Sequence, residues 1–398
     1  MAGGQAHAQV TAPDNILSGN LIPINNASTR GVRVGGFLVS PGITVSSLYD
    51  DNIFLQKTGS TNDLLTSIKP GLAVQSNWNR HILYLGANAN IGSYNTHSEK
   101  DFSDHGAIIA GQYELTEKTF LTASLTDKDH HATRGSEEDQ NGGNTIDLSS
   151  VSQSLGFTRA LSYWQFKILG KNEETRRETE LDALAATDFV KRKAQSLSTT
   201  VSYVYMPLNE LYIKNTLSQT AYHLINGTTE DSKKTDTQVG LNFDTTGLFS
   251  GSVYGGYLQR SNDFSLKGTN DPYLGGALSW RITPLTTLTA LTTTTYSDPS
   301  LSAENGAKST QYQISLKNSF TTRLDTTLTT GVYKNSYLAT ATASGRENEI
   351  YYTSLEADYR FSDNMGVRLG YDHKDKSSSL ETDEYSSNKA LLSLTYMH

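Results

Sequence analysis

The chain has 398 residues, no Cys and a formal net charge of -8. A negative chain without a basic stripe excludes nucleic acid as a partner, because nothing is present to displace counterions from a phosphate backbone. Its longest apolar runs, such as 82–86 and 107–111, fall far below the roughly 18 residues of a membrane-spanning helix, and the mean hydropathy is -0.46, so helical insertion is excluded.

The N-terminus comes first. Ala6-His7-Ala8 followed by Gln9 reads as the small-x-small cleavage site of a secretory signal peptide, so residues 1–8 are expected to be its remnant. Residues 9–36 contain Pro13, Pro23 and many Asn, Ser and Gly, and read as a flexible periplasmic segment. Absence of Cys fits passage through an oxidising compartment without a disulfide framework.

From Phe37 onward one pattern recurs: ten to twelve residues alternate apolar and polar, then a turn, then another alternating segment, then a longer polar loop. Gly (32) and Tyr (22) are frequent and Pro (8) is scarce, which favours strands and turns. Short connections are expected at 77–80, 116–119, 160–163, 207–210, 244–248, 282–284, 321–323 and 362–365. Longer loops are expected at 50–63, 93–104, 131–148, 177–193, 225–233, 261–270, 297–308, 339–346 and 376–383. Eight short and nine long connections join about eighteen strands and put both chain ends on the short-turn side.

The last strands alternate most regularly. Leu355, Ala357, Tyr359 and Phe361 oppose Ser354, Glu356, Asp358 and Arg360; Val367, Leu369 and Tyr371 oppose Arg368, Gly370 and Asp372. In the final segment Ala390, Leu392, Leu394 and Tyr396 oppose Lys389, Ser393 and Thr395, with Leu391 as the exception. A period of two places each set on one face of a sheet.

An open sheet of this size would leave edges and bury one very large face, whereas closure removes both problems. Aromatics crowd the strand ends beside the short turns: Trp78, Tyr84, Tyr113, Phe120, Trp164, Tyr203, Tyr205, Tyr212, Phe243, Trp280, Phe320, Tyr359 and Phe361. That is where a membrane-interface girdle belongs. The expected fold is all-β: a transmembrane antiparallel up-and-down β-barrel of about eighteen strands over residues 37–398, with short periplasmic turns, long extracellular loops and both termini periplasmic.

The segment Phe37-Leu38-Val39-Ser40-Pro41-Gly42-Ile43 is followed by Tyr49-Asp50-Asp51-Asn52-Ile53-Phe54, then Ile68-Lys69-Pro70-Gly71-Leu72 and Trp78-Asn79-Arg80-His81. These blocks resemble the family called putative β-barrel porin 2, outer-membrane proteins often associated with exopolysaccharide or capsule export. The Tyr-Asp-Asp-Asn-Ile-Phe block, Tyr49 to Phe54, is the most specific of them. The resemblance implies an outer-membrane conduit, possible traffic in a polysaccharide handed over by a periplasmic export partner, and no catalytic set. The family's C-terminal targeting strand, read by the barrel assembly machinery, ends in Phe, whereas this chain ends in His398.

If apolar residues face lipid, their neighbours line the lumen. Lys69, Asn88, Asn90, Gln112, Glu114, Lys167, Lys214, Gln313, Glu356, Asp358, Arg360, Arg368 and Asp372 are the lumen-lining candidates. Asn, Gln, Ser and Thr offer hydrogen bonds to sugar hydroxyls, and inward Tyr84, Tyr212 and Tyr333 offer faces for sugar rings. Opposed charges such as Arg360 and Asp372 equally well brace a polar wall.

Asp50-Asp51-Asn52 invites a Ca²⁺ reading, but calcium-loop spacing is absent and Asp-Asn pairs are ordinary turn residues. His130-His131 beside Asp127 and Asp129 reads as solvated loop, so no metal or other cofactor is expected. No G-x-S-x-G elbow or H-E-x-x-H motif marks an enzyme. Residues 178–193, with Leu181, Leu184, Phe189 and Val190, read either as a short helix over the pore or as a surface loop. The functional expectation is an exopolysaccharide-export porin, with a general diffusion porin and a surface-binding barrel as alternatives. Outer-membrane lipid and lipopolysaccharide are its expected surroundings.

Overall fold

Strand propensity and turn chemistry divide the chain at regular intervals. The computed structural model describes residues 31–132, 145–178, 189–245, 247–262, 269–296, 307–337 and 345–398. Its strands are β1 (Val32–Val34), β2 (Phe37–Asp50), β3 (Asp63–Ser76), β4 (Ile82–Tyr94), β5 (Phe102–Thr116), β6 (Thr119–His131) and β7 (Asp147–Ala160). They continue as β8 (Trp164–Arg177), β9 (Phe189–Met206), β10 (Asn209–Leu224), β11 (Thr229–Thr245), β12 (Phe249–Asn262) and β13 (Thr269–Thr283). The last six are β14 (Thr286–Tyr296), β15 (Ala307–Ser319), β16 (Leu324–Tyr337), β17 (Glu347–Arg360), β18 (Met365–Ser378) and β19 (Tyr385–Met397).

From β2 to β19 each strand pairs antiparallel with the next, and β19 returns to β2 from Lys389↔Asp50 to Met397↔Gly42. Eighteen strands therefore close into a barrel, which satisfies every ladder without an edge. β1 folds back on the start of β2, Val32 opposite Val39 and Val34 opposite Phe37, through a turn at Gly35 (φ +59°). Pairing thus reaches into the segment assigned to the lead-in.

All eight short connections fall where the sequence puts them. Two expectations at the other end need correction. The region 225–233 is a tight turn, because β10 runs to Leu224 and β11 starts at Thr229. There Leu224 N–H donates to the Thr228 carbonyl at 2.9 Å, Gly227 takes φ +82° and Asn226 Oδ1 accepts from Thr228 N–H at 2.9 Å. Asn-Gly is a strong hairpin signal, and it outweighs the polar run around it. Phe189 and Val190, assigned to the helix-or-loop segment, instead begin β9. Phe189 is 1% exposed, with the Arg177 guanidinium 4.8 Å from its ring centre. The remainder of that segment, 179–188, lies outside the described residues.

One face of the ladder is apolar and exposed. Leu394, Val45, Ile68 and Ile91 follow one another across β19, β2, β3 and β4, and each is over 40% exposed. A continuous apolar surface of this extent is incompatible with water and matches a bilayer. A 14-residue strand at about 3.4 Å per residue and about 40° tilt stands about 36 Å tall, enough to span the apolar band with rims to spare. Outward aromatics gather at the short-turn end, where Trp164 lies 5.1 Å from Tyr203 and Phe249 stacks on Trp280 at 5.5 Å. Three members of the expected cluster depart from it: Tyr84, Phe120 and Tyr212 fall on the inner face, Phe120 between Glu114 and Thr158.

Candidate functional site: the inner wall

The strand register puts Lys69, Asn88, Asn90, Gln112, Glu114, Lys167, Lys214, Gln313, Glu356, Asp358, Arg360, Arg368 and Asp372 on the face opposite the apolar band. The wall is not uniform; three sectors differ in what these side chains touch.

On β16–β18 the charges neutralise one another. Arg368 donates to both oxygens of Asp358, at 2.7 and 3.3 Å, and stands 3.8 Å from Glu356. Arg360 is 3.8 Å from Asp325 and donates to the Thr322 carbonyl at 2.8 Å. Two guanidinium groups thus engage three carboxylates, and Lys317 adds a further cation two strands from Glu356, with Thr327 between them. Asp372 sits two residues from Lys374 on the same face of β18. This sector is a cross-brace with little residual charge.

From β10 to β17 the wall carries tyrosines laid against glycines. Tyr212 covers Gly240, Tyr273 covers Gly256, Tyr254 covers Gly275 and Tyr352 covers Gly331; a Cβ at any of these glycines would collide with the ring. Missing side chains give the rings a seat, so each aromatic lies along the wall and closes the gap left in the sheet. Amides fix the phenols. Gln311 Nε2 donates to Tyr333 at 3.0 Å and to Tyr352 at 2.9 Å, while Tyr352 donates to Gln313 Oε1 at 2.8 Å. Tyr333 and Tyr352 stack at 5.1 Å. Tyr254, Tyr273 and Tyr352 were not singled out from the sequence; a Gly opposite a Tyr is the signal, but it needs the register.

From β6 to β10 the inner face is mainly Ser and Thr. Ser124 bonds Ser154 at 2.7 Å, Ser150 bonds Thr175 at 3.2 Å and Ser198 bonds Thr216 at 3.0 Å. Lys167 faces Thr200, which faces Lys214, so two lysines stand two strands apart in one row. Among the described residues neither has an ion-pair partner. Farther toward the long loops, Lys171 meets Glu173 at 2.7 Å, and Arg192 meets the same carboxylate at 3.6 Å. On the other side, Asn90 is 3% exposed and donates to Asp104 at 3.4 Å, and Glu114 stands 3.6 Å from Arg80.

The block from Tyr49 to Phe54 lies at the rim where the barrel closes. Tyr49 faces outward. Asp50 Oδ1 accepts from Asn52 N–H at 3.0 Å and from Ser387 Oγ at 3.2 Å, while Lys389 Nζ stands 2.7 Å from Oδ2. Asp51 receives the backbone N–H and side-chain amide of Asn388, both at 2.7 Å. Asn52, 1% exposed, donates to the carbonyls of Gln56 and Ser386 and accepts from Gln56 N–H. Ile53 is buried, and Phe54 lies edge-on to His97 at 5.4 Å. These carboxylates are engaged by protein donors; the block stitches the first long strand to the last and folds the first loop.

A closed barrel with an apolar outer band and a hydroxylated, charged inner wall is a transmembrane barrel of the porin type. The chain belongs to the family described as Putative beta-barrel porin 2, whose sequence profile matches residues 27–398. It resides in the outer membrane. No curated protein matches it in sequence. Among solved structures it is similar to the FrpB iron transporter of Neisseria meningitidis, F3-3 variant, with a TM-score of 0.52 and 8% identity over 89% of this chain and 64% of that one. The F5-1 variant of FrpB, in its apoprotein form, gives a TM-score of 0.50 at 8% identity over 90% of this chain and 81% of that one. OpdK of Pseudomonas aeruginosa, solved with vanillate, gives 0.49 at 10% identity over 90% and 99%. Identities this low concern the fold alone.

Proposed function

We propose that this barrel is a conduit for export of an exopolysaccharide, with the short turns and both chain ends in the periplasm. One observation carries the reading: hydroxyls and amides line the inner wall beside tyrosine rings that lie along it. Sugars present hydroxyls at their rims and C–H faces above and below, so such a wall can bind them weakly and repeatedly. Weak, repeated contact is what passage of a polymer requires. Eighteen strands leave an aqueous channel unless something fills it.

Three further assignments accompany this proposal. A periplasmic export partner would deliver the polymer. The β19 strand, with Ala390, Leu392, Leu394 and Tyr396 outward, would be read by the barrel assembly machinery. Arg176, Lys191 and Lys193, at the long-loop end on the outer face, would meet lipopolysaccharide phosphates.

The test is gene deletion in the source organism combined with planar-bilayer recording of the purified barrel. Loss of surface glycan together with a conducting pore is expected. A conducting pore with unchanged surface glycan would instead make this a general diffusion porin. A folded but silent barrel sinks the conduit altogether.

A further inference from the structure

The two charged sectors of the wall face each other. In a ring of eighteen, β8 and β17 are nine strands apart and thus diametrically opposed. On β17 and its neighbours each carboxylate has a guanidinium or ammonium nearby, and the field closes within the wall. On β8–β10 Lys167 and Lys214 project from a carpet of hydroxyls with Thr200 between them. Two strand spacings put them about 10 Å apart. That is about one screening length at 0.1 M salt, so a passing charge feels both at once. Farther along the strip Lys171 stands 2.7 Å and Arg192 3.6 Å from the carboxylate of Glu173. A water-filled lumen with a low-dielectric surround concentrates such a field.

We infer that the β8–β10 strip is an anion-selective binding track, and that the molecule passing along it is an acidic glycan rather than a neutral one. Lysine ammonium groups engage its carboxylate, sulfate or phosphate substituents as point charges. The flanking Ser and Thr engage its hydroxyls. The inference rests on the conduit reading and adds the charge of the cargo. It runs against the overall charge of -8, which would suggest the opposite selectivity.

The experiment uses the full-length barrel in planar bilayers under a KCl gradient, with folding checked by heat-modifiable migration. The wild type is expected to prefer Cl⁻ over K⁺ several-fold at low salt and to lose the preference near 1 M. Lys167→Gln with Lys214→Gln should remove most of it, and Lys167→Glu with Lys214→Glu should reverse it. A short oligogalacturonate should interrupt the current at about tenfold lower concentration than a maltodextrin of equal length, and the Gln pair should erase the difference. A conducting barrel that prefers K⁺, or whose preference and block are unmoved in both variants, overturns the inference alone. A folded barrel without conductance overturns the conduit reading and takes the inference with it.

Discussion

The strip on β8–β10 and the wall on β16–β18 use the same residue types to opposite ends. Both carry inward Lys or Arg together with inward acids. On β16–β18 the partners meet, as in the 2.7 Å contact of Arg368 with Asp358. On β8–β10, Lys167 and Lys214 have Thr200, and no carboxylate, between them. The difference teaches that an inward charge says little by itself. Its pairing decides whether the lumen feels a field or the wall gains a brace.

Several measurements would break or sharpen that comparison. The largest effect is expected from Lys167→Glu with Lys214→Glu, which reverses ion preference without touching a paired group. Next is Arg368→Ala on the opposite wall, which leaves Asp358 and Glu356 unbalanced. Reversal potentials should shift toward K⁺, by less than half as much, while melting changes little because exposed pairs are worth roughly 0–1 kcal/mol. An Arg368→Ala shift as large as the double Lys variant would show that the two walls do not differ.

The seam offers a contrast of a different kind, since stability and selectivity should separate there. Asn52→Ala removes a buried amide that serves three backbone groups. A loss of about 1–3 kcal/mol is expected, read as a lower temperature for the heat-modifiable shift, with ion preference unchanged. Changed selectivity would mean that the rim block belongs to the conduction path. A smaller effect is expected from Gly256→Val, which drives the Tyr273 ring off its seat and into the lumen. Single-channel conductance should fall modestly while selectivity holds.

The smallest effect concerns the tie between the first and last long loops. Lys57 stands 2.6 Å from Glu381 and 2.9 Å from Glu384. The hydrogen bond from Lys57 holds the Glu384 carboxyl below the ordinary carboxylate range and, with Glu381, raises Lys57 above its own. A lowered acid contributes stability above its unfolded pKa and loses it as pH falls through the folded one. The tie is therefore intact at neutral pH and released in acid, below the ordinary carboxylate range. Trypsin cleavage after Lys57 at neutral pH should be faster in Glu384→Gln than in the wild type, because the variant lacks the carboxylate that holds the Lys57 ammonium. Equal cleavage rates would show that the tie contributes nothing.

Much of the fold was legible in the sequence because a strand's side chains alternate whatever lies beside it. Leu355, Ala357 and Tyr359 point outward by local geometry alone. Turn chemistry fixed the eight short connections for the same reason. Asn226-Gly227 was misread although its signal is local; the polar residues around it masked a tight hairpin. Phe189 was misread because its burial depends on Arg177, a residue on the preceding strand.

The amino-acid order by itself determined the number of strands, where they stop at the eight short turns and which face of each meets lipid, because these follow from a period of two and from residues that tolerate a turn. Only the closed barrel decided which groups are neighbours. Asp51 meets Asn388 across 337 residues of sequence, Tyr273 finds its glycine through register, and Lys167 meets no carboxylate among the described residues. Each of these depends on what the adjoining strand carries at the same height, a relation that alternation within one strand does not contain.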